Sequence, residues 1–569
     1  MNPTQEIFRV RRKYNQWVNN QTLEDYALRF TAKSARRWSA SRVAVTALGA
    51  ISFLALEAIG GAITLSYGFN NAAAAILLVG FLILLAGIPI CYYAARYGVD
   101  IDLLTRGAGF GYIGSTATSL IYASFTFIFF ALEAAIMAMA LELLFSIPLA
   151  IGYILCSLVA LPLVIHGITL ISRFQVWTQP LWVALQLTPF IFLFIQETSI
   201  INRWTEFPGL DQHAVNNSNN VNIIYFGAAS AVMFSLIAQI GEQVDYLRFL
   251  PPKTKKNRIR WWVALLSAGP AWIIVGILKI FAGSLLAVLA LEYGASPQHA
   301  SDPTRMYIMA FGYVVQNPDT ALLLAGIFVI LSQLKINVTN AYAGSIAWSN
   351  FFSRLTHSHP GRVVWLFFNV TIALLLMELG VYHAFENTLG VYAIVAVAWV
   401  GALVADLIVN KPLGLSPRSI EFRRAYLHDI NPVGVGSLLV ASLVGILCYL
   451  DLFGESAKAL AHFISLGTAF FLAPAIAVIT RGKFYIARDH IELNDTVDSA
   501  QQSSSCCICQ NSYELEDIAQ CPAYSGPICS LCCSLDSRCN DLCKPVKKLP
   551  DMIVEFFNSF LPKKLTAYL

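Results

Sequence analysis

Twelve apolar runs, each long enough to cross a lipid bilayer as a helix, follow one another along most of this chain. A helix needs about 20 apolar residues to cross a hydrocarbon layer about 30 Å thick. The runs are too long and continuous for the strands of a membrane barrel, so helices are the expected spanning structure. We predict spans near residues 43–67, 72–95, 113–145, 147–165, 174–196, 222–247, 261–291, 320–348, 361–383, 387–408, 433–452 and 457–479.

The composition agrees with this assignment and excludes most other classes. Of the 569 residues, 57% are hydrophobic and 13% are charged, whereas soluble domains have about 25% charged residues. Disorder, collagen and a secreted disulfide scaffold are excluded in the same way. We therefore predict an all-α polytopic membrane protein that contacts the lipid bilayer. We expect no nucleic-acid partner, and no enzyme activity because no catalytic constellation can be placed.

Basic residues are distributed unevenly over the predicted loops. Residues 1–42 carry nine Lys or Arg against three acidic residues. If this tail is cytoplasmic, the outward loops hold only Arg203, Arg305 and Lys458. The other cytoplasmic loops then hold Arg248, Lys253, Lys255, Lys256, Arg258, Arg260, Lys411, Arg418, Arg423 and Arg424. Because basic residues accumulate in cytoplasmic loops, both termini are predicted to be cytoplasmic.

Ionisable side chains inside a span are energetically expensive and therefore indicate function. Glu57 in span one, Glu133 in span three and Lys335 in span eight lie near mid-span, and we expect them to face a water-lined cavity. Glu142 and Lys279 are expected to lie near helix ends, where they reach the interface. Span eight is also too polar for a lipid-facing helix, since it carries Ser332, Gln333, Asn337, Thr339 and Asn340.

Glycines interrupt spans one and six at corresponding places if the chain contains two five-helix repeats. Such segments are typical of a transporter site at the midplane, where unwound backbone offers hydrogen-bonding groups to substrate and ion. The alternative is ordinary close helix packing through small residues. The residues are Gly49, Ser52, Gly60 and Gly61 around Glu57 in span one, and Gly227 and Gly241 with Ser230, Ser235, Gln239 and Glu242 in span six.

Four motifs, in this order, resemble the nucleobase–cation symporter-1 family over about residues 20–480. They are residues 36–39 (RRWS), 106–114 (RGAGFGYIG), 245–249 (DYLRF) and 337–340 (NVTN). The resemblance implies a leucine-transporter-type fold, in which two inverted five-helix repeats are followed by two further helices. It also implies transport of purines, pyrimidines, hydantoins or related compounds, coupled to sodium ions or protons.

The resemblance further implies roles for individual residues. Counting from Gly114 places Phe129 where the family has a Trp that stacks on the substrate, and Glu133 where it has a hydrogen-bonding Gln. These differences leave open a different, cationic solute. The implied substrate-binding set is Ser52, Glu57, Phe129, Glu133, Phe234, Gln239, Asn337 and Asn340, and the implied gating pair is Asp245 and Arg248.

The coupling ion is the second feature in doubt. In this fold, spans one and eight together hold a sodium ion through hydroxyls and carbonyls, which makes Ser332 and Glu57 ion-coupling candidates. Lys335 departs from that pattern, because an ammonium there could replace the charge of the ion and face Glu57. We therefore expect coupling to protons, or none. Sodium-dependent uptake retained in Lys335→Ala would count against this.

Nine cysteines crowd between Cys506 and Cys543. Four thiolates hold one tetrahedral zinc, so eight of them predict two structural zinc ions. An iron–sulfur cluster and a redox thiol switch are the alternatives, whereas a cytoplasmic location disfavours disulfides. The predicted ligands are the pairs Cys506-x-x-Cys509 and Cys529-x-x-Cys532 together with Cys521, Cys533, Cys539 and Cys543, which leaves Cys507 as the spare.

The predicted domain order is a basic tail (1–42), a membrane domain (43–480), a linker (481–505), the cysteine-rich module (506–545) and an amphipathic segment (546–569). The module resembles a segment found in some bacterial sensor histidine kinases, between a transporter-like half and the kinase. The first function predicted is a secondary transporter for a small nitrogen-containing solute in the bacterial inner membrane. The second is a solute sensor that works with a separate histidine kinase, and the third is a membrane scaffold.

Overall fold

The structure is a computed structural model that describes residues 24–210, 220–380, 385–488, 503–536, 539, 541, 543 and 544. The described chain is mostly helical, with four short strands in the cysteine-rich segment. Residues 1–23, most of the predicted linker and the predicted amphipathic segment 546–569 lie outside the described residues.

The first group of helices forms predicted spans one to six and the connections between them. They are α1 (Ala40–Gly49), α2 (Ala55–Tyr67), α3 (Phe69–Tyr97), α4 (Ile101–Thr105), α5 (Ser115–Phe145), α6 (Leu149–Val159), α7 (Leu161–Ile165), α8 (Ile168–Gln196), α9 (Ile200–Thr205), α10 (Ile223–Phe234) and α11 (Ile240–Leu247).

The remaining helices of the bundle follow from Arg258 onward. They are α12 (Arg258–Ala268), α13 (Trp272–Glu292), α14 (Pro297–Ala300), α15 (Pro303–Gly312), α16 (Pro318–Thr356), α17 (Arg362–Glu378), α18 (Phe385–Ala405), α19 (Pro432–Tyr449), α20 (Glu455–Ala459) and α21 (Ala461–Thr480).

The number of membrane crossings is close to the predicted twelve without reaching it. Nine described helical stretches are long and apolar enough to span, and the bent pair α1–α2 makes a tenth. Predicted span four is the shorter stretch Leu149–Ile165, and α17 in predicted span nine has 17 residues. These helices make the chain an integral multi-pass membrane protein, while the count of twelve stays a prediction.

Spans one and six are both interrupted, but the interruptions are not at the glycines. Span one bends by 45° between α1 and α2, because the backbone of Phe53 is extended after a 3₁₀ turn at Ala50–Ser52. Span six passes through a 3₁₀ segment at Ser235–Gln239 between α10 and α11. The two helices of each interrupted span therefore meet at a place where backbone groups lose their regular partners.

The glycines of these spans instead allow close packing, which was the alternative interpretation. A Cβ added at Gly60 would lie 1.8 Å from the carbonyl oxygen of Ile280. A Cβ at Gly227 would lie 2.4 Å from the carbonyl oxygen of Ala459, and one at Gly241 equally close to the Tyr122 ring. Small residues at these places let helix backbones touch.

Two helix pairs enclose the centre of the bundle. Helix α2 packs along α13, and α5 packs along α16. The last two spans, α19 and α21, pack with α18 at one side. The break in span one therefore lies between α13, α5 and α16, which carry Lys279, Glu133 and the polar run of span eight.

The cysteine-rich segment forms two hairpins and one short helix. Strands β1 (Ser503–Ser505) and β2 (Ser512–Glu514) pair antiparallel, as do β3 (Ile518–Cys521) and β4 (Gly526–Cys529). Helix α22 (Ser530–Leu535) follows β4 directly. This order places one Cys-x-x-Cys pair after β1 and the other at the junction of β4 and α22.

Candidate transport site and cysteine centre

Side chains of two neighbouring helices hydrogen-bond the backbone at the break in span one. The Ser52 hydroxyl donates to the carbonyl oxygen of Ser332 at 2.9 Å. The amide of Leu54 donates to Oε1 of Gln333 at 3.3 Å, and the amide of Ala55 donates to Oε1 of Glu133, also at 3.3 Å. Buried backbone groups must be paired. Groups of span three and span eight therefore provide the hydrogen-bond partners of span one at the break.

Lys279 supplies the cation at this break. Its ammonium donates to the carbonyl oxygens of Ser52 and Phe53 at 2.9 and 2.8 Å and lies 3.4 Å from Oε1 of Glu57. The side chain is 3% exposed. The prediction that Lys279 reaches the membrane interface is therefore wrong, whereas Glu142 is exposed near the end of α5.

Glu57 is fully buried and has partners on three helices. Besides Lys279, its Oε1 accepts a hydrogen bond from the Tyr307 hydroxyl at 3.0 Å and lies 3.5 Å from the side-chain nitrogen of Gln186. The second oxygen, Oε2, has no partner among the described residues. One carboxylate oxygen is thus fixed by protein groups, and the other is available to water or solute.

The expected contact between Lys335 and Glu57 is wrong. The ammonium of Lys335 donates instead to span five, to the carbonyl oxygen of Gln175 at 3.2 Å and to the Thr178 hydroxyl at 3.0 Å. In an α-helix, side chains two positions apart point to different faces, and Lys335 follows Gln333 by two residues. Span eight therefore presents Gln333 to the break and Lys335 to α8.

Ser332, the other ion-coupling candidate, lies against the break. Its carbonyl accepts from Ser52, as above, and its hydroxyl accepts a hydrogen bond from the indole nitrogen of Trp182 at 3.0 Å. Trp182 also lies beside the ammonium of Lys279, with its ring centroid at 5.3 Å. The carbonyl and hydroxyl oxygens of Ser332 thus both accept hydrogen bonds from protein donors.

Several predicted substrate-binding residues present unpaired polar atoms in the interior. Asn337 and Asn340 are fully buried, and neither side-chain amide has a partner within the described ranges. They follow Gln333 by four and seven residues, which places all three on one face of α16. Oε2 of Glu133 is likewise buried without a described partner.

Phe129 and Phe234 lie in different surroundings. Phe129 packs on Phe125 with ring centroids 4.4 Å apart and edge-on to Phe53 at the break, at 6.5 Å. Phe234 stacks on His462 of α21 at 6.2 Å and also contacts Phe463. Phe129 is thus placed beside the break, whereas Phe234 contacts a helix outside the two predicted repeats.

Gln239 contacts an acidic residue of the same interrupted span. Its side-chain nitrogen donates to Oε2 of Glu242 at 2.7 Å, and both side chains are buried. Oε1 of Glu242 has no partner in the described part of the chain. The second interrupted span therefore also brings an unpaired carboxylate oxygen into the interior.

Buried arginines and aspartates form a network that we call the basic end of the bundle, defined by Arg106, Arg248, Arg354, Arg362, Asp25, Asp100 and Asp102. Arg248 lies 3.8 Å from Asp100 and donates to the carbonyl oxygen of Asp25 at 2.8 Å. Arg354 lies 3.6 Å from Asp102. Sequence motifs missed both aspartates, although Asp100 and Asp102 stand directly before the matched 106–114 segment.

The predicted gating pair belongs to this network. Asp245 accepts a hydrogen bond from the Tyr122 hydroxyl at 2.8 Å, which ties span six to span three. Arg248 is fully buried and donates to the backbone of the segment before span one. The two residues therefore join the interrupted span six to other elements, while their role in gating stays a prediction.

Four cysteines converge in the cysteine-rich segment. The sulfurs of Cys506, Cys509, Cys529 and Cys532 all lie within 4.8 Å of one another. The amide of Cys529 donates to the sulfur of Cys506 at 3.3 Å, and the amide of Cys532 donates to that of Cys529 at 3.4 Å. Amide donors stabilise thiolates, and four thiolates in this arrangement suit one tetrahedral metal ion.

The other four predicted ligands surround a second small cavity. Cys521, Cys533, Cys539 and Cys543 line it together with Asp536, Asp541 and Tyr524. Cys507 belongs to neither set. Its side chain lies near Gly526, where an added Cβ would be 3.4 Å away. The other four predicted ligands thus share a cavity, whereas within the described residues the first four are the group of cysteines whose sulfurs all lie within 4.8 Å of one another.

The cysteine segment docks on the segment before α1 and on the loop after α18. Arg29 donates to Asp517 at 2.9 Å and lies over the Tyr513 ring at 4.1 Å. Arg423 and Arg424, from the loop after α18, donate to the carbonyl oxygens of Ile518 at 2.6 Å and of Cys533 at 3.1 Å. Burial raises the pKa of Asp517, and the guanidinium of Arg29 opposes this rise.

Solved structures of membrane symporters share this fold. Mhp1, a nucleobase-cation-symport-1 family transporter in a closed conformation with bromovinylhydantoin bound, matches with a TM-score of 0.59 and 17% identity, over 82% of this chain and 96% of that chain. The inward-facing conformation of Mhp1 gives a TM-score of 0.56 at 16% identity, covering 81% and 97%. A substrate-bound, outward-open Na⁺-coupled sialic acid symporter gives 0.54 at 15% identity, covering 82% and 94%.

The sequence matches no family model and no curated protein. The likeness to solved structures lies far below 25% identity, so it establishes the fold. The chain is thus a multi-pass membrane protein with the fold of secondary transporters, and the predicted resemblance is confirmed at that level.

Proposed function

We propose that this chain is a secondary transporter that moves a small nitrogen-containing solute, such as a nucleobase or a related compound, by alternating access. One observation carries the proposal: within the described residues, α5 and α16, the helices that contact the break in span one, carry buried polar atoms without hydrogen-bond partners. They belong to Glu133, Asn337 and Asn340. An unpaired buried polar group costs about 1–3 kcal/mol, so such a cluster is expected to serve water or a bound solute.

The chemistry of these groups suits a planar ring with nitrogen donors and carbonyl acceptors. An Asn side chain offers two donors and an acceptor, and an ionised Glu accepts only. Phe129, packed at the break, offers an aromatic edge or face to such a ring. We infer that Glu133 accepts ring N–H groups and that Asn337 and Asn340 read the remaining polar edge.

The orientation of the chain in the membrane is inferred from the charge distribution. Basic residues concentrate at one end of the bundle, where the loop after α18 and the segment before α1 lie together. Under the positive-inside rule this end is cytoplasmic. We therefore propose an inner-membrane protein with both termini in the cytoplasm and a solute site that opens alternately to the two sides.

Counterflow into proteoliposomes tests the proposal. Proteoliposomes that contain the purified full chain are loaded with purines, pyrimidines, hydantoins and amino acids in turn, and saturable uptake of the labelled solute is measured. We expect Glu133→Gln and Asn340→Ala to reduce uptake at least about tenfold, the effect of about 1.4 kcal/mol of lost binding. Glu142→Gln, on the exposed end of the same helix as Glu133, is the matched control and should leave uptake unchanged.

A solute sensor is the second candidate, and the docked cysteine segment favours it. Residues 24–37 lie between that segment and the basic end, because Arg29 bonds Asp517 while the carbonyls of Asp25 and Tyr26 accept from Arg248. A change at span six could thus reach the cysteine segment through a few contacts. Saturable binding of a solute without counterflow would favour this candidate. A histidine-kinase partner rests on the sequence resemblance alone.

We also propose that the cysteine segment holds two structural zinc ions. Cys506, Cys509, Cys529 and Cys532 would bind the first ion, and the four cysteines of the second cavity the other. Sulfur ligands, tetrahedral grouping and the Cys-x-x-Cys spacings support zinc, and an iron–sulfur cluster is the alternative. Elemental analysis of the purified chain is expected to give two zinc ions per chain. A purified chain that contains no zinc and no iron would contradict the proposal.

A further inference from the structure

The ammonium of Lys279 is saturated by three acceptors. An ammonium has three N–H donors, and three oxygens surround this one: the carbonyls of Ser52 and Phe53 at 2.9 and 2.8 Å and Oε1 of Glu57 at 3.4 Å. Two of them are backbone oxygens that the break in span one releases from helical pairing. The charge of the carboxylate is balanced by the charge of the lysine.

Glycines bring this lysine to the break. A Cβ added at Gly283 would lie 2.1 Å from the carbonyl oxygen of Glu57, and one at Gly60 would lie 1.8 Å from that of Ile280. Helices α2 and α13 therefore touch backbone to backbone on both sides of the ion pair. One turn further on, the hydroxyls of Thr64 and Ser284 are hydrogen-bonded at 2.7 Å. The lysine is fixed by helix packing and is not free to leave the break.

Ser332 faces the same place from span eight, and both of its oxygens accept hydrogen bonds from protein donors. The carbonyl of Ser332 accepts from the Ser52 hydroxyl at 2.9 Å, and the hydroxyl of Ser332 accepts from Trp182 at 3.0 Å. The carbonyls of Ser52 and Phe53 and Oε1 of Glu57 surround the Lys279 ammonium at 2.9, 2.8 and 3.4 Å. A sodium ion at the break would have to occupy the position of that ammonium, so this arrangement does not fit a bound sodium ion.

We propose that Lys279 is a tethered cation that takes the place of a coupling sodium ion at the break in span one, with Glu57 as its counter-charge. The inference deepens the proposed transport function, on which it rests for its physiological meaning. The sodium-coupled sialic acid symporter of the same fold would then differ from this chain in how the broken helix is charged. Transport by this chain would not depend on sodium.

Direct sodium binding tests the inference without knowledge of the solute. Labelled ²²Na⁺ is added to the purified full chain in detergent, and saturable binding is measured. We expect none in the wild type, saturable binding in Lys279→Ala, and binding at least about tenfold weaker in Lys279→Ala/Glu57→Gln. The last variant removes the carboxylate that would hold the ion in the vacated position.

Three results would overturn the inference. They are saturable sodium binding to the wild type, a rise in its thermal stability in sodium chloride over choline chloride, and a folded Lys279→Ala without sodium binding. Lys279→Gln replaces Lys279→Ala if the latter does not fold, because a neutral amide can still donate to the two carbonyls. No arm uses a transported solute, so a negative counterflow experiment and a negative result here remain distinguishable.

Discussion

In two regions of this molecule, electron-rich groups lie close together, and the regions differ in the source of the cation that balances their negative charge. At the break in span one, two carbonyls and the Glu57 carboxylate meet the ammonium of Lys279. In the cysteine segment, four sulfurs lie within 4.8 Å of one another, and four thiolates at that spacing repel each other without a metal ion. At the break in span one the cation is a protein side chain, whereas the cysteine segment is expected to need an ion from solution.

Metal removal should therefore have the largest effect, and only on the cysteine segment. Structural zinc contributes about 10–16 kcal/mol of apparent binding free energy in small zinc domains, whereas the apolar cluster of this segment, with Ile508, Ile518 and Ile528, is small. We expect a strong chelator, or Cys529→Ser, to make residues 503–544 sensitive to limited proteolysis while the bundle stays folded. Digestion of the full chain followed by mass spectrometry measures this.

The spare cysteine provides the matched control for that experiment. Cys507 lies between Cys506 and Cys509 in the chain but outside the four-sulfur group. Cys507→Ser should keep both the zinc content and the protease resistance of the wild type. Equal sensitivity of Cys507→Ser and Cys529→Ser would show that the segment is held by general thiol packing, and the comparison would fail.

Lys279→Met should have the next largest effect, in the membrane region. Removing one partner of a buried ion pair leaves an uncompensated charge and costs about 3–5 kcal/mol. Glu57 has no exposure and Lys279 has 3%, so solvent screens the pair little. In choline chloride we expect a large fall in thermal stability for Lys279→Met and partial recovery in Lys279→Met/Glu57→Gln. A single variant no less stable than the double variant would show that the pair contributes nothing.

The general architecture was predictable because it rests on bilayer thickness. Runs of about 20 apolar residues specify helices whatever their neighbours are, and interruptions of spans one and six were expected from their glycines. The exact interruptions were not predictable from glycine. Gly60 and Gly227 serve close packing, whereas the break follows from the extended backbone of Phe53, a residue type with no special preference for it.

The partners inside the site were less predictable, because they depend on which helices meet. Glu57 and Lys279 lie more than 200 residues apart, and only the touching of α2 and α13 joins them. The available sequence signal was a lysine, Lys279, four residues before a glycine in an otherwise apolar span. The prediction that Lys279 lies near a helix end concealed its role at the break. Lys335 carried the stronger local signal, yet its position two residues after Gln333 turns it towards α8.

Severing the cysteine segment from residues 24–37 should have a moderate effect. Arg29→Ala removes the donor to Asp517, and a hydrogen bond to a charged group contributes about 1.5–3 kcal/mol. Asp517 keeps a hydrogen bond from the Ser530 hydroxyl, so the segment itself should stay folded and retain its zinc. Faster hydrogen exchange at residues 24–37 with unchanged zinc content is the expected result.

An exposed pair at the same interface gives the control for Arg29→Ala. Lys33 and Glu516 form an ion pair in which the side chains are 56% and 51% exposed. Such pairs contribute about 0–1 kcal/mol, so Lys33→Ala should leave hydrogen exchange at the wild-type rate. Equal effects of the two substitutions would mean that the interface depends on net charge rather than on the buried contact.

Lys335→Met should have the smallest effect and sharpens the contrast between the two membrane lysines. Lys335 donates to a carbonyl and a hydroxyl of span five, and among the described residues it forms no ion pair with a carboxylate. Its removal therefore exposes no buried anion, and the loss of two hydrogen bonds is offset by the relief of burying a charge. We expect thermal stability within about 1 kcal/mol of the wild type and no gain of sodium binding. A loss as large as that of Lys279→Met would mean that both lysines compensate buried charge, so that the break in span one would no longer be distinguished by its own cation.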